Sequence, residues 1–332
     1  MQFFSYTIYT NRKGFYIMCT AITYKSACHY FGRNLDIELS YFENVVVTPR
    51  NFKFDFRKSE SLKSHYAIIG MATVQNGYPL YYEATNEKGL SVAGLKFPEN
   101  ADYKPYTEGK ENIAPFELIP YILGKCSDIA EAKELLLGIN ILDEDFSDEL
   151  PLSPLHWLIA DRNKAITVES VGEGLKIYDN AVGVLTNNPA FDYHMMNLNN
   201  YMFLCEGTAE NKINPEIELK NYSLGMGALG LPGDFSSGSR FVKAVFVKTK
   251  SVSSETEKES VDQFFHILNS VAMPKGCILT KDGKYEYTLY SSCCNTDKGI
   301  YYYTTYDNSA RASVDMFASD LEGEELYVYE LK

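Results

Sequence analysis

A succession of short strand-like runs precedes the first helical one, and a chain that opens this way must build a sheet before anything else can pack. Residues 19–24, Cys-Thr-Ala-Ile-Thr-Tyr, alternate loosely and are rich in β-branched side chains. Ser26 and Ala27 turn the chain into residues 29–37, so the second strand runs back beside the first. Runs at 42–48 (closed by Pro49), 65–73, 80–83 and 90–95 continue the meander, with Asn76-Gly77 and Glu87-Lys88-Gly89 as turns. Helical periodicity then appears at 115–123 and 129–137, the latter led by Ser127-Asp128 as a cap. An acidic loop, 139–154, is broken by Pro151 and Pro154 and carries Leu142, Phe146, Leu150 and Leu152. Strands follow at 155–160 and 165–170, across the turn Asp161-Arg162-Asn163.

Residues 257–272 place Val261, Phe264, Phe265, Leu268 and Val271 on one helical face. Strands at 285–293, 300–306 and 326–331 close the chain. This order predicts an α+β fold with two antiparallel sheets and helices on their outer faces. There is no linker, low-complexity segment or internal repeat, so residues 19–332 read as one domain behind an N-terminal extension, 1–18. That extension lacks the apolar core and cleavage site of a signal peptide, and it reads as an upstream start or a pro-segment.

Composition narrows the function. With a formal net charge of −13, clustered basic surface is scarce, which argues against nucleic acid or an anionic membrane as partner. No run approaches the ~20 apolar residues a membrane span needs. The seven cysteines, at 19, 28, 126, 205, 277, 293 and 294, show no Cys-x-x-Cys spacing, and free thiols in a reducing cytoplasm account for them. The histidines, His29, His65, His156, His194 and His266, are scattered without metal spacing.

Cys19 is the residue with the most chemistry to offer. If translation starts at Met18, or if residues 1–18 are removed, it carries a thiol and a free α-amine together. An α-amine titrates near ~7.7–8.0 and can take the thiol proton at neutral pH, so one residue supplies nucleophile and base. If the extension stays attached, the nitrogen is an amide, the base is lost, and a ligand-binding protein is the alternative. Other polar patches sit at strand or helix ends: Gly32-Arg33-Asn34-Leu35-Asp36, Gly94-Leu95-Lys96, Thr186-Asn187-Asn188-Pro189 and Gly233-Asp234-Phe235-Ser236-Ser237 leading to Ser239-Arg240-Phe241. Each alone is ordinary turn chemistry or surface charge.

Together, Met18-Cys19-Thr20, Tyr30 to Asp36, Asn86-Glu87-Lys88-Gly89-Leu90, Leu185 to Pro189 and Gly233 to Phe241 resemble the choloylglycine hydrolases. These are the conjugated bile acid hydrolases and penicillin V acylases within the N-terminal-nucleophile hydrolases. The resemblance implies an αββα sandwich, a cytoplasmic homotetramer, and no metal or organic cofactor. It implies that Cys19 is the nucleophile, surrounded by Arg33, Asp36, Asn187 and Arg240. On this reading the Cys19 amine takes the thiol proton, Asp36 accepts from the amine, and Asn187 donates to the oxyanion. Arg33 and Arg240 keep the field positive.

The implied reaction is hydrolysis, through a thioester, of the amide joining a bile acid to glycine or taurine. Penicillin V or another N-acyl amide is the alternative substrate. Lys96 departs from the family pattern, where asparagine or tyrosine usually stands. It is expected either to attract the glycine carboxylate or taurine sulfonate, or to point to solvent. Leu35 with Phe146, Leu150 and Leu152 are the candidates for an apolar wall against the steroid. His156 beside Trp157 reads as structural, since the amine already serves as base.

Overall fold

The computed structural model describes residues 18–253 and 255–332. The extension inferred from the sequence therefore lies outside the described residues except for Met18. The opening meander forms as β1 (Met18–Lys25), β2 (His29–Ile37), β3 (Asn44–Thr48), β4 (Ile68–Gln75), β5 (Tyr78–Asn86) and β6 (Ser91–Lys96). After β7 (Glu111–Ile113) come α1 (Leu118–Lys125), α2 (Ile129–Leu137) and β8 (Ile139–Ile141). Four strands follow: β9 (Leu155–Ala160), β10 (Ala165–Val171), β11 (Gly174–Asp179) and β12 (Val184–Leu185). The helices α3 (Phe191–Asn197), α4 (Ser237–Lys250) and α5 (Glu257–Asn269) come next. The chain closes with β13 (Ile278–Leu279), β14 (Tyr285–Asn295), β15 (Ile300–Thr305), β16 (Ala312–Asp315) and β17 (Tyr327–Glu330).

Two large antiparallel sheets result. One runs β12-β1-β2-β14-β15-β16, with β13 paired to β14; the other runs β11-β10-β9-β6-β5-β4-β3-β17. The hairpin expected beside Cys19 is present, with Cys19 opposite Leu35 and Ala21 opposite Arg33. Outer helices complete the sandwich. Leu118, Ile122 and Ile129 of α1 and α2 pack with Trp157 and Ile159 of the larger sheet. Phe241 of α4 and Phe264 and Leu268 of α5 pack with the smaller one. The Asp128 cap holds, accepting from the backbone of Ala130 and Glu131. The parallel pair β7–β8 was not expected, because elements this short carry no period to read, whereas β12 ends just before Thr186, where a strand end was expected.

The strands that carry the site are closely packed. β2 is buried along its whole length, and a Cβ placed on Gly32 would lie 2.0 Å from the Ser292 carbonyl oxygen on β14. Only a residue without a side chain lets β2 and β14 approach so closely. Gly32→Ala should therefore lower stability by roughly 1–3 kcal/mol or more through overpacking. The check is the urea midpoint, which should fall; an unchanged midpoint would show that the strands have room.

Candidate active site

Strand pleating sorts the site residues by face. Cys19 and Ala21 on β1 share a face with Leu35 and Arg33 opposite them, while Met18 pairs with Asp36 and shares the other face with Thr20. Arg33 accordingly reaches the facing sheet, where its Nη1 donates to the carbonyls of Gly94 (2.6 Å) and Tyr82 (3.1 Å). Arg240 comes from the helical side. Its position is set by the α4 N-terminus, where Ser236 caps through Ser239 N–H. Its Nη1 donates to the Cys19 carbonyl (2.6 Å) and Thr20 Oγ1 (2.7 Å), and its Nη2 donates to Asn187 Oδ1 (2.7 Å).

The backbone N–H of Cys19 donates to that same Asn187 Oδ1 at 2.8 Å. Asn187 Nδ2 donates to the Lys96 carbonyl at 2.9 Å, joining the loop after β12 to the end of β6. Asp36, expected to receive the Cys19 nitrogen, accepts from Thr288 Oγ1 at 2.6 Å; its Oδ2 is buried with no hydrogen-bond partner. The N–H of Met18 donates to Glu286, a buried carboxyl that burial pushes up to about 8.

Electrostatics at Cys19 are divided. Burial pushes the thiol up, Arg33 and Arg240 pull it down, and the charge of Asp36 adds to the rise. The net direction is upward while Met18 is attached. Asp36 itself is pushed up to about 6 by burial, against the pull of Arg240, Thr288 and Arg33. Lys96 is half-buried, and loss of water holds its ammonium down to about 8, with Cys19 and Glu38 opposing.

Cys19, Arg33, Asp36, Asn187 and Arg240 are thus brought together, with Leu35 opposite Cys19 and Lys96 linked through its carbonyl. Phe146 and Leu150 are placed differently. The Phe146 ring packs on Phe116 (5.1 Å between centroids) and Tyr78 (6.1 Å), with the Arg57 guanidinium over it at 5.6 Å. Leu150 closes a turn on Ser147. Among the described contacts none ties either residue to Cys19. Phe146 instead helps line a cleft of about 450 Å³ with Arg57, Tyr78 and Phe116.

Several residues not assigned to the site from the sequence support it. Ser237 Oγ receives the Asn187 N–H at 2.8 Å, and two histidines grip consecutive carbonyls of the same loop. His156 Nε2 lies 3.0 Å from the Thr186 oxygen and His194 Nε2 lies 2.8 Å from the Asn187 oxygen. His156 Nδ1 faces Glu169 at 3.0 Å, which fits the structural role read for it. Alternation shows which side of a strand a residue occupies, but it does not show which loop will arrive there.

Comparison with known proteins places this geometry. The model of the linear amide C–N hydrolases, choloylglycine hydrolase family, matches residues 19–329. A bile salt hydrolase/transferase of Lactiplantibacillus plantarum is 57% identical over 315 residues, covering 95% of this chain and 97% of that protein. A bile salt hydrolase/transferase of Clostridium perfringens is 41% identical, covering 94% and 96%. A crystal structure of a variant conjugated bile acid hydrolase from Clostridium perfringens superposes with a TM-score of 0.87 at 39% identity, covering 95% of this chain and 97% of that one. A penicillin V acylase from Agrobacterium tumefaciens shares the fold, with a TM-score of 0.73 at 20% identity, covering 94% and 91%.

The raised Asp36 carboxyl has a thermodynamic consequence. Its folded value of about 6 lies above the ordinary 3.8. Its contribution to stability is therefore full below about pH 4 and lost as pH rises through about 6, a change of roughly 2–3 kcal/mol. Relative to Asp36→Asn, the unsubstituted protein should lose that much between pH 4 and pH 7 in urea unfolding. Parallel stability curves for the two proteins would remove the assignment.

Proposed function

Because the chain belongs to the choloylglycine hydrolase family of linear amide C–N hydrolases, we propose that it cleaves the amide joining a bile acid to glycine or taurine, with Cys19 as nucleophile. One observation carries the reading: the Cys19 thiol is buried beside two guanidinium groups, and its nitrogen is already held by Asn187 Oδ1. Once the preceding residues are gone, that nitrogen is an amine in reach of its own thiol. It takes the thiol proton, and the thiolate attacks the amide carbonyl. Asn187 Nδ2 stabilises the oxyanion, a contribution typically worth ~10²–10³ in rate. The ammonium then protonates the departing glycine or taurine nitrogen, and water hydrolyses the thioester through the same base.

Lys96 is assigned to the leaving group. Its ammonium stands at the end of β6, next to the loop carrying Asn187, and its field reaches Cys19. A cation there complements the carboxylate of a glycine conjugate or the sulfonate of a taurine conjugate. With its ammonium held down to about 8, that attraction fades as pH rises through about 8.

We assign the protein to the cytoplasm as a homo-oligomer, taken as a tetramer. All seven cysteines are free, and no helix among the described residues is long and apolar enough to cross a membrane. Phe203, Ile213, Tyr222 and Leu224 are exposed on the segment between α3 and α4, which supports self-association there.

Two measurements test the proposal. The intact mass of purified protein should correspond to a chain beginning at Cys19, active on glycine- and taurine-conjugated bile acids above penicillin V. A peptide-bonded Cys19 in protein that still hydrolyses these conjugates would overturn the mechanism, and a preference for penicillin V would reassign the substrate. Separately, Lys96→Asn should raise KM for both conjugates several-fold at pH 6, with the difference shrinking above pH 8. An unchanged KM at pH 6 would remove the proposed contact.

A further inference from the structure

A buried carboxylate that plays no part in the steps above lies between the two sheets. Glu83, on β5 of the larger sheet, is 1% exposed. Its Oε1 accepts from Ser292 Oγ (2.9 Å) and Tyr301 OH (2.5 Å), and its Oε2 accepts from Tyr290 OH (2.7 Å). All three donors stand on β14 and β15 of the opposite sheet. Oε2 also lies 3.8 Å from Arg33 Nε, the one ion pair Arg33 makes among the described residues.

Acid side chains are seldom buried without a partner, because losing water costs the ion more than packing returns. Here the surroundings are built for the charged form. Three hydroxyls point at acceptor oxygens, and a guanidinium that is itself fully buried needs a counter-charge. Burial pushes the Glu83 carboxyl up, and Arg33 and the three hydroxyls pull it part of the way back, so the net direction is upward. Protonating Glu83 would leave Arg33 with carbonyl partners only. Arg33 in turn acts on Cys19, where it is the largest influence lowering the thiol. Its Nη1 is fixed by Gly94 and Tyr82, and its Nη2 is buried without a hydrogen-bond partner.

We propose that Glu83 is a positioning residue for the hydrolytic reaction: its carboxylate, set by Tyr290, Ser292 and Tyr301, holds the Arg33 guanidinium in place and limits the positive field that Arg33 applies to the Cys19 thiol. This rests on Cys19 being the nucleophile. It gives Glu83 two separable effects, one on geometry and one on charge. Neutralising the carboxylate without changing its shape leaves Asp36 as the remaining carboxyl acting on Arg33, so more of the guanidinium's field falls on the thiol, which ionises at lower pH. It also removes the ion pair at Nε, so carbonyl oxygens alone hold the guanidinium, its position is less closely set, and turnover falls although the thiolate is more abundant. Loss of packing alone would lower stability and move neither the pH of thiol ionisation nor kcat at saturating substrate.

The test is Glu83→Gln in the protein as purified, with iodoacetamide alkylation followed at the Cys19 peptide by mass spectrometry from pH 5 to pH 10. The alkylation midpoint should move to lower pH by about one unit. With a conjugated bile acid as substrate, kcat should fall about tenfold or more while KM changes less than threefold. Glu83→Asp, which keeps the charge and withdraws it by one methylene, should retain the alkylation midpoint while losing part of kcat. A Glu83→Gln protein that folds with an unshifted midpoint and unchanged kcat overturns the proposal, whatever its melting temperature. If that variant does not fold, Tyr290→Phe decides: a kcat loss of about threefold or more at constant KM supports positioning through Oε2, and an unchanged kcat overturns it. Should the unsubstituted protein fail to hydrolyse any conjugate, the substrate reading falls, and the alkylation midpoint still decides the electrostatic effect of Glu83.

Discussion

Withdrawing a guanidinium from water costs several kcal/mol unless its donors meet acceptors, and both Arg33 and Arg240 are fully buried. The acceptors they find hold the site together. Arg240 takes the Cys19 carbonyl, Thr20 Oγ1 and Asn187 Oδ1, so it joins β1, the loop after β12 and the start of α4. Arg33 takes two carbonyls of the facing sheet, so it fixes the spacing between the sheets beside Cys19. Removing either arginine would leave buried carbonyl oxygens without donors as well as removing a charge from the thiol. Structural and chemical roles are therefore inseparable at these two positions.

The pleat of β1 determines how this charge is shared. Residues on alternate sides of the strand meet different neighbours, so the Cys19 side chain shares the face of Arg33 while its peptide groups are held from the direction of α4. A shift of register by one residue would exchange the faces and put the thiol on the Asp36 side. Gly32 sets a separate constraint on the neighbouring pair, because only a residue without a Cβ lets β2 lie so near the Ser292 carbonyl of β14. The same tightness buries Glu83 and its three hydroxyl partners in the layer between the sheets, where hydrophobic packing would otherwise be expected.

Much of the architecture was legible because it rests on local signals. Helix α2 and strand β9 occur where periodicity placed them, and Asp128 caps as its residue type suggests. What was not legible lies where function depends on length or distance. Strand β12 is two residues long, too short for a period to bound it, yet it flanks the strand that carries Cys19. Glu83 sits in a strand where an acid ordinarily marks the solvent side, and only the approach of Tyr290, Ser292 and Tyr301 gives it an interior role. Cys19 and Arg240 are separated by 221 positions, so no spacing rule could have joined them, and only the family likeness did. Phe146 shows the opposite case, a residue whose type suggests a role that its surroundings do not tie to Cys19. An apolar residue in a loop resembles a ligand wall, and here its ring is occupied by Phe116, Tyr78 and Arg57.

The peptide-bonded state explains why the chain end matters so much. With Met18 in place the Cys19 nitrogen is an amide that can donate to Asn187 but cannot accept a proton, and burial keeps the thiol raised despite two nearby guanidinium groups. Such a thiol is a poor nucleophile near neutral pH, because reactivity follows the thiolate. Cutting before Cys19 changes three quantities together. It creates the base, it adds a positive charge beside the thiol when the amine is protonated, and it releases Glu286 from the Met18 N–H. The first two act in the same direction on thiolate supply, and the acceptor for the new amine is already in position. The bonds of Arg33 and Arg240 are made to carbonyl and side-chain oxygens and none to the Met18–Cys19 peptide nitrogen, so the network does not itself depend on that nitrogen being an amide.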